Sequence, residues 1–224
     1  MNYTFNFNAV IDSWEYLLQG AWLTVQLSIG AMILGLIVAI LCALGKTSGP
    51  KPIRWIINAY IEVIRNTPFL VQIFLIFFGL PAMGIRLSPD LAALIAMVVN
   101  VGAYATEIIR AGIESIQKGQ IEAGLALGLK PLQVFRYVVI KPALRTVYPA
   151  LTSQFILLML GSSVVSAISA DELTSVANNI QSQTFRSFEI YIVVTGIYLV
   201  LAMMFSALFA GIYRLVFAYD TDRR

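Results

Sequence analysis

The chain contains no histidine and one cysteine, and charged residues fill only 12% of its 224 positions. Without histidine there are no imidazole metal ligands and no Ser–His or Cys–His pair for nucleophilic catalysis. Cys42 lies alone inside an apolar run, so it builds no disulfide framework and carries no redox information. The long apolar windows hold no pair of acidic residues, which excludes an intramembrane aspartyl dyad. The tripeptide "GKT" at 45–47 is not a phosphate-binding loop, because that motif needs a glycine where Ile40 stands and a strand ahead of it. No catalytic residue and no metal site are expected. The opening "MNYTFNFNAVIDSWEYLLQG" lacks a basic n-region, so the first apolar run is expected to stay in the membrane.

What is abundant is apolar side chain, at 59% of the residues. A soluble domain carries about 25% charged residues, and a helix crossing the hydrocarbon core needs roughly 20 apolar ones. Charge-free windows cover residues 16–45, 66–85, 91–106, 146–170 and 190–213. The third is short, but Glu107 and Arg110 can reach the headgroups from its end. These windows predict an all-α polytopic membrane protein with about five transmembrane helices, in contact with lipid. With the N-terminus outside and the C-terminus cytoplasmic, only Arg86 and Arg186 of the fifteen basic residues fall outside, as the positive-inside rule requires. The net charge of +3 is spread over span ends and makes no single face, so no nucleic-acid partner is expected.

Residues 1–20 read as an outer segment anchored by Trp14 and Tyr16, followed by a first span at 20–44. After the turn-rich linker "GKTSGPKPIR" comes an amphipathic stretch, 55–65, and Pro68 is placed to open the second span. The fourth span is expected at 149–169, between the outer loops "PAMGIRLSPD" and "DELTSVANNIQSQTFRSFE". No internal repeat is visible, which weighs against an inverted-repeat carrier.

The longest polar interruption is "EAGLALGLKPLQVFRYVVIKPALR", residues 122–145. Gly119 is expected to break the run from span three. A short helix at 120–127 then carries Glu122 in its first turn and ends at Gly128. Pro131 restarts a second helix with Leu132, Phe135, Val138 and Val139 on one face, giving a helix–turn–helix across the cytoplasmic mouth. The sparse side chains of Ala123, Gly124 and Ala126 suit close docking into a partner's cleft. A helix resting on headgroups is the alternative, but such helices carry bulky aromatics and many lysines on separate faces.

"EAGLALG", with Phe135-Arg136 and Ala143-Leu144-Arg145 after it, resembles the EAA motif of ABC-importer permeases. "LLQGAWLTVQLSI", "IEVIRNTPFLVQ" and "NVGAYATEIIRAGI" are similar to the polar amino-acid uptake subfamily, so the resemblance covers most of the chain. It implies the type I ABC importer permease fold: a single transmembrane domain over 1–224, with a cytoplasmic coupling segment at 113–145. It implies that Glu122, Ala123, Gly124 and Gly128 couple to an ATPase subunit, which itself binds ATP and Mg. The further partners implied are a second permease subunit, an external solute-binding protein and a polar amino-acid-like substrate, in a bacterial inner membrane. Gly124 stands where the motif has its second alanine, and Pro142 falls one residue later than the motif's proline.

Polar groups at mid-membrane are costly and mark a bundle interior or a water path. Asn100, about nine residues into the third window, and Ser162 and Ser163, about twelve above Pro149, fall near the midplane at 1.5 Å per residue. Gly161 weakens its helix locally. Close helix packing is the alternative role for these residues. By the family resemblance Phe69 joins Asn100, Gly161, Ser162 and Ser163 as a substrate-pathway candidate. Relatives commonly carry Lys-Asp/Asn where this chain has Leu160-Gly161, so a charged grip is not expected from this subunit. An ATP-independent channel or secondary carrier, or a non-transporting scaffold, are the competing functions.

Overall fold

The computed structural model describes residues 4–217, and all regular structure among them is helical. A short α1 (Asn8–Asp12) leads into α2 (Trp14–Ser48), then α3 (Lys51–Arg65), α4 (Phe69–Phe74), a π-helical segment (Leu75–Gly79) and α5 (Leu80–Ala82). The long α6 (Pro89–Glu114) is followed by α7 (Lys118–Ala126), α8 (Pro131–Val134), a second π segment (Phe135–Val139) and α9 (Ile140–Gly161). A 3-10 segment (Ser162–Ile168), α10 (Leu173–Thr184) and α11 (Ser187–Phe217) complete the chain.

Four helices are long and apolar enough to cross a membrane: Trp14–Ser48, Pro89–Glu114, Pro131–Ile168 and Ser187–Phe217. The bent pair Lys51–Arg65 and Phe69–Ala82 makes a fifth if its two limbs form one span. Half of the apolar window of α6 is buried but only 11% of that of α11, so α6 is the central helix and α11 faces outward.

The α2–α6 seam is built from small residues. Ser28, Ala31, Gly35, Ala39 and Ala43 recur at three- and four-residue spacing along α2 and are all buried, which sets them on one face, and Gly20 and Thr24 continue it against residues 172–176. Ala92, Ala93, Ala96, Val101 and Gly102 answer them from α6. Small side chains let backbones approach closely, which is where helix association in a bilayer finds its dispersion energy. Gly35 shows how close: a Cβ there would run into Val101 Cγ1.

A latch closes the seam at the basic end. Lys46 Nζ lies 2.6 Å from Glu107 Oε1, and the same carboxylate takes Arg110 at 2.8 Å. Glu107 therefore pairs with Arg110 as the i,i+3 spacing predicts, and also ties α6 to α2. From Asp90 to Glu107, α6 rises about 26 Å, close to the roughly 30 Å hydrocarbon thickness. The 35 residues of α2 rise about 52 Å. With Lys46 pinned at one end, the excess must project from the other. There α10 packs along it, so the second outer loop is a helix seated against the core, with Leu173 and Ala177 fully buried.

The link back to that helix is a buried polar knot. Glu172 caps α10 by accepting from Ser175 N at 2.9 Å, and its other oxygen takes the Tyr198 hydroxyl at 2.7 Å. Thr24 of α2 reaches the same oxygen at 3.4 Å and accepts from Leu173 N at 3.2 Å. Burial pushes the Glu172 carboxyl up from its ordinary value, against the pull of these donors.

Two boundaries and one face depart from the sequence reading. The helix that carries the fourth span starts well ahead of Pro149: it begins at Pro131 and runs through a π segment, with Pro149 inside α9. The second helix of the cytoplasmic segment is thus the foot of that span and does not lie across the mouth. Gly119 does not break the chain but is the second residue of α7, because the turn falls at 115–117. Leu132, expected on the apolar face, is 78% exposed and Val134 is buried in its place, while Val139 is buried as expected. The π segment shifts the register of that face.

Candidate functional site

Two places on the molecule combine unusual backbone with polar side chains: the projecting α7 and the break between α3 and α4. Helix α7 ends in a Schellman motif. Leu129 N donates to Gly124 O at 3.2 Å and Gly128 N to Leu125 O at 2.9 Å, with Gly128 at φ +82°, a conformation glycine adopts without steric cost. Lys130 then caps the next helix, its backbone N–H donating to Gln133 Oε1 at 2.8 Å. The two reversals hold α7 against α8 and the π segment, clear of the bundle.

The four coupling candidates divide. Glu122, Ala123 and Gly128 are exposed on α7 and its cap. Gly124 is buried: a Cβ there would meet Val134 at 3.2 Å, so it faces its own second helix and is not a surface for a partner. Nor is the free face stripped of bulk, since Leu125 and Leu127 stand exposed beside Ala123.

At the break, α3 and the following limb differ in direction by 112°. A helix end leaves unpaired carbonyls, and "RNTPFLVQ" supplies a donor for several of them. Asn66 N and Nδ2 both donate to Glu62 O, at 3.1 and 2.8 Å. Thr67 Oγ1 donates to Val63 O at 2.7 Å. Gln72, one turn past the break, places Nε2 2.8 Å from Ile64 O and 3.0 Å from both Thr67 O and Thr67 Oγ1. Pro68 has no N–H to strand and sits in extended geometry ahead of α4. Glu62 and Arg65 do not pair as their spacing suggests: Glu62 accepts from Asn66, and Arg65 lies 5.5 Å over the Tyr104 ring.

Asn100 meets this device directly, donating Nδ2 to Gln72 Oε1 at 2.9 Å. The elements of all five pathway candidates converge here, because α4, α6 and the 3-10 segment pack on one another. Phe69 opens α4 half-buried, and Asn100 is half-buried on α6. The serines are spent locally. Ser162 is fully buried and donates to Met159 O at 2.6 Å, and Ser163 donates to Leu160 O at 2.9 Å. Gly161 has open space where a side chain would stand and ends the α-helical part of α9. The sequence reading missed Gln72 and Thr67. The signal was present: two polar residues bracketing a proline at the start of an apolar window, where a helix end must be capped.

A helix pair bent by 112° lies beside the central helix, and a capped helical arm projects from the basic end. Residues 31–220 match the family described as binding-protein-dependent transport system inner membrane component, and the chain belongs to that family. It is 39% identical over 194 residues to the L-cystine transport system permease protein TcyB of Bacillus subtilis, covering 86% of this chain and 83% of that one. It is 36% identical over 208 residues to the glutamine transport system permease protein GlnP of Escherichia coli, covering 90% and 93%. A solved amino acid ABC transporter, crystallised with histidines, superposes with a TM-score of 0.88 at 38% identity, over 95% of this chain and 99% of that one. The inward-facing MetNI methionine transporter shares the fold, with a TM-score of 0.73 at 21% identity. The chain is a multi-pass membrane permease subunit of the ABC-importer class.

Proposed function

We propose that this subunit moves a polar amino acid or a related compound inward across a bacterial cytoplasmic membrane by alternating access. It works as a dimer with itself or a similar subunit, since a broken span and four others are few for a gated path. ATP and Mg are bound and hydrolysed by separate ATPase subunits, which dock on the α7 arm through Glu122, Ala123 and the Gly128 turn. An external binding protein delivers the solute to the end where α2 and α10 project. The solute passes the break at mid-membrane, beside Phe69, Asn100 and Gly161.

The observation that carries this reading is the exposed, Schellman-capped α7 arm, whose foot runs through a π segment into a membrane span. A push on the arm therefore has a helical path into the bundle. Glutamine and cystine transport by relatives supports the amino-acid substrate class.

The test is purification of the assembled transporter with Gly128 varied. Gly128→Val forces a β-branched residue into φ +82°, a cost on the order of 1–2 kcal/mol, and is expected to shed the ATPase and abolish ATP-driven uptake. Gly128→Asn, whose side chain tolerates that geometry, is expected to keep both. Retention of ATPase and uptake by Gly128→Val would remove α7 as the coupling element and leave an ATP-independent carrier or a scaffold as the better reading.

A further inference from the structure

We propose that a cavity at the cytoplasmic end of α2, α9 and α11 holds one acyl chain of an anionic phospholipid, with the lipid phosphate on Lys141, Arg145 and Arg214.

The cavity has a volume of about 450 Å³, within the range of small-molecule sites. Leu36, Ile40 and Leu44 wall it from α2, and Ile109 and Ile113 from α6. Phe209 of α11 and the foot of the fourth span close the remaining sides. It is not the path beside Asn100. Ile109 stands nine residues on from Asn100, about two and a half turns at 3.6 residues per turn, so the cavity lies on the opposite face of α6.

Its wall suits hydrocarbon and little else. Tyr148 and Thr152 are the two polar side chains that line it, and both hydroxyl hydrogens are already given away. The Tyr148 hydroxyl donates to Phe209 O at 2.7 Å, and Thr152 Oγ1 donates to Pro149 O at 3.0 Å. An apolar cavity stays dry, yet protein interiors are close-packed and leave few voids larger than a water molecule. Ile40, Leu44, Ile140 and Leu144 line the cavity and are exposed, so it has an open rim, and the medium that meets this rim in a bilayer is lipid. The height also fits. From Leu36 to Leu44, α2 rises about 12 Å, against about 15 Å for one leaflet of the hydrocarbon core. Leu44 stands two residues from Lys46, whose pair with Glu107 marks the cytoplasmic end.

The charge beside the rim selects the lipid. Lys141 follows Ile140 and Arg145 follows Leu144, one turn apart on α9 and both exposed. Arg214 borders a second cleft, whose wall shares Tyr148, Thr152 and Phe209 with the cavity. Among the described residues α9 carries no acid, and the acid of α11, Glu189, lies in its first turn at the far end. Long basic side chains reach the headgroup layer from a helix end, and a basic pocket between spans on the cytoplasmic side suits an anionic headgroup. The chain packs against Phe135 and Val139 of the π segment, so lipid occupies the stretch that joins the α7 arm to the bundle.

The experiment places the complete transporter in phosphatidylcholine nanodiscs with a trace of phosphatidylglycerol whose acyl chain carries a diazirine. After illumination, adducts are mapped by peptide mass spectrometry. They are expected to concentrate on residues 36–44 and 139–155, and unlabelled phosphatidylglycerol is expected to suppress them where added phosphatidylethanolamine does not. Replacing Lys141, Arg145 and Arg214 together by glutamine is expected to lower the yield about tenfold or more. Ile40→Trp with Leu144→Trp, which fills the mouth, is expected to remove the cavity adducts and leave labelling elsewhere unchanged. Should that variant fail to assemble, the glutamine variant, which alters only exposed side chains, decides by the same yield. Labelling of the cavity no stronger than at the exposed Leu199 and Met203 of α11, with no preference for phosphatidylglycerol, overturns the proposal in favour of ordinary boundary lipid. So does a cavity without adducts when photoreactive benzoylphenylalanine in place of Leu144 joins the neighbouring permease subunit, because a second copy then covers this face.

Discussion

At the scale of single residues, polar side chains in this bundle do structural work that their type does not announce. Gln72 closes a helix break, Thr24 ties α2 to the start of α10, and Glu172 joins three elements through two oxygens. Glu172 carries a pH signature. Burial raises its carboxyl above the ordinary value of 4.5, so the native state holds a proton that the unfolded state has already released. Stability is then fully present below that ordinary value and declines as pH rises through the raised one. Thermal unfolding of the purified protein from pH 5 to pH 8 is expected to show this decline, and Glu172→Gln, which cannot ionise, is expected to flatten it. A wild-type profile as flat as the glutamine variant's would mean that Glu172 stays ionised in the fold. Asn100 was legible as a mid-membrane polar residue, but its partner was not, because Gln72 lies 28 positions away and only a bent chain brings them together.

Between elements, the α2–α6 seam holds the fold and the α3–α4 break shapes it. The seam was readable in retrospect from the small residues spaced along α2, yet the charge-free window of α2 placed it only in the membrane, not against α6. Gly35→Val adds a branched side chain where Val101 already fills the space. Overpacking of this kind costs about 1–3 kcal/mol, and a lower unfolding temperature in detergent is the expected reading. The smaller replacement Val101→Ala in the same chain is expected to restore part of it, since it vacates the volume that Gly35→Val claims. No recovery would mean that the two helices do not meet at this height. The break itself escaped the sequence reading for a different reason. An amphipathic stretch followed by Pro68 looks like a surface helix leading into a fresh span, whereas Tyr60 donates its hydroxyl to Val99 O at 2.6 Å and so fastens α3 along α6.

For the whole molecule, the asymmetry of charge and of helix length makes an orientation testable. The α7 arm and the projecting end of α2 lie at opposite ends of the bundle, and the basic residues favour the α7 end for the cytoplasm. With Cys42 replaced by alanine, a cysteine at Leu127 is expected to react with a membrane-impermeant maleimide only in inside-out vesicles, and one at Ser182 only in right-side-out vesicles. Both positions are exposed, so protection reports sidedness, and the reverse pattern would invert the topology. Arg223 and Arg224, which count toward that orientation, lie outside the described residues.

Composition and periodicity alone determined the class. A chain with this apolar fraction and these charge-free windows must satisfy its backbone by helices in a bilayer, and the spread of lysine and arginine sets which way it faces. The Gly128 turn was equally legible, because a glycine at the end of a helical stretch with Pro131 three residues on marks a C-terminal cap and a restart. What only the tertiary structure decided is where helices break and which polar groups meet. A run of apolar residues has the same hydropathy whether its helix is straight, bent by 112° or wound into a π segment. The direction of an amide likewise depends on acceptors contributed from other parts of the chain. Asn100 meets Gln72 Oε1 only because a folded α3 turns its carbonyls toward the other end of the Gln72 amide.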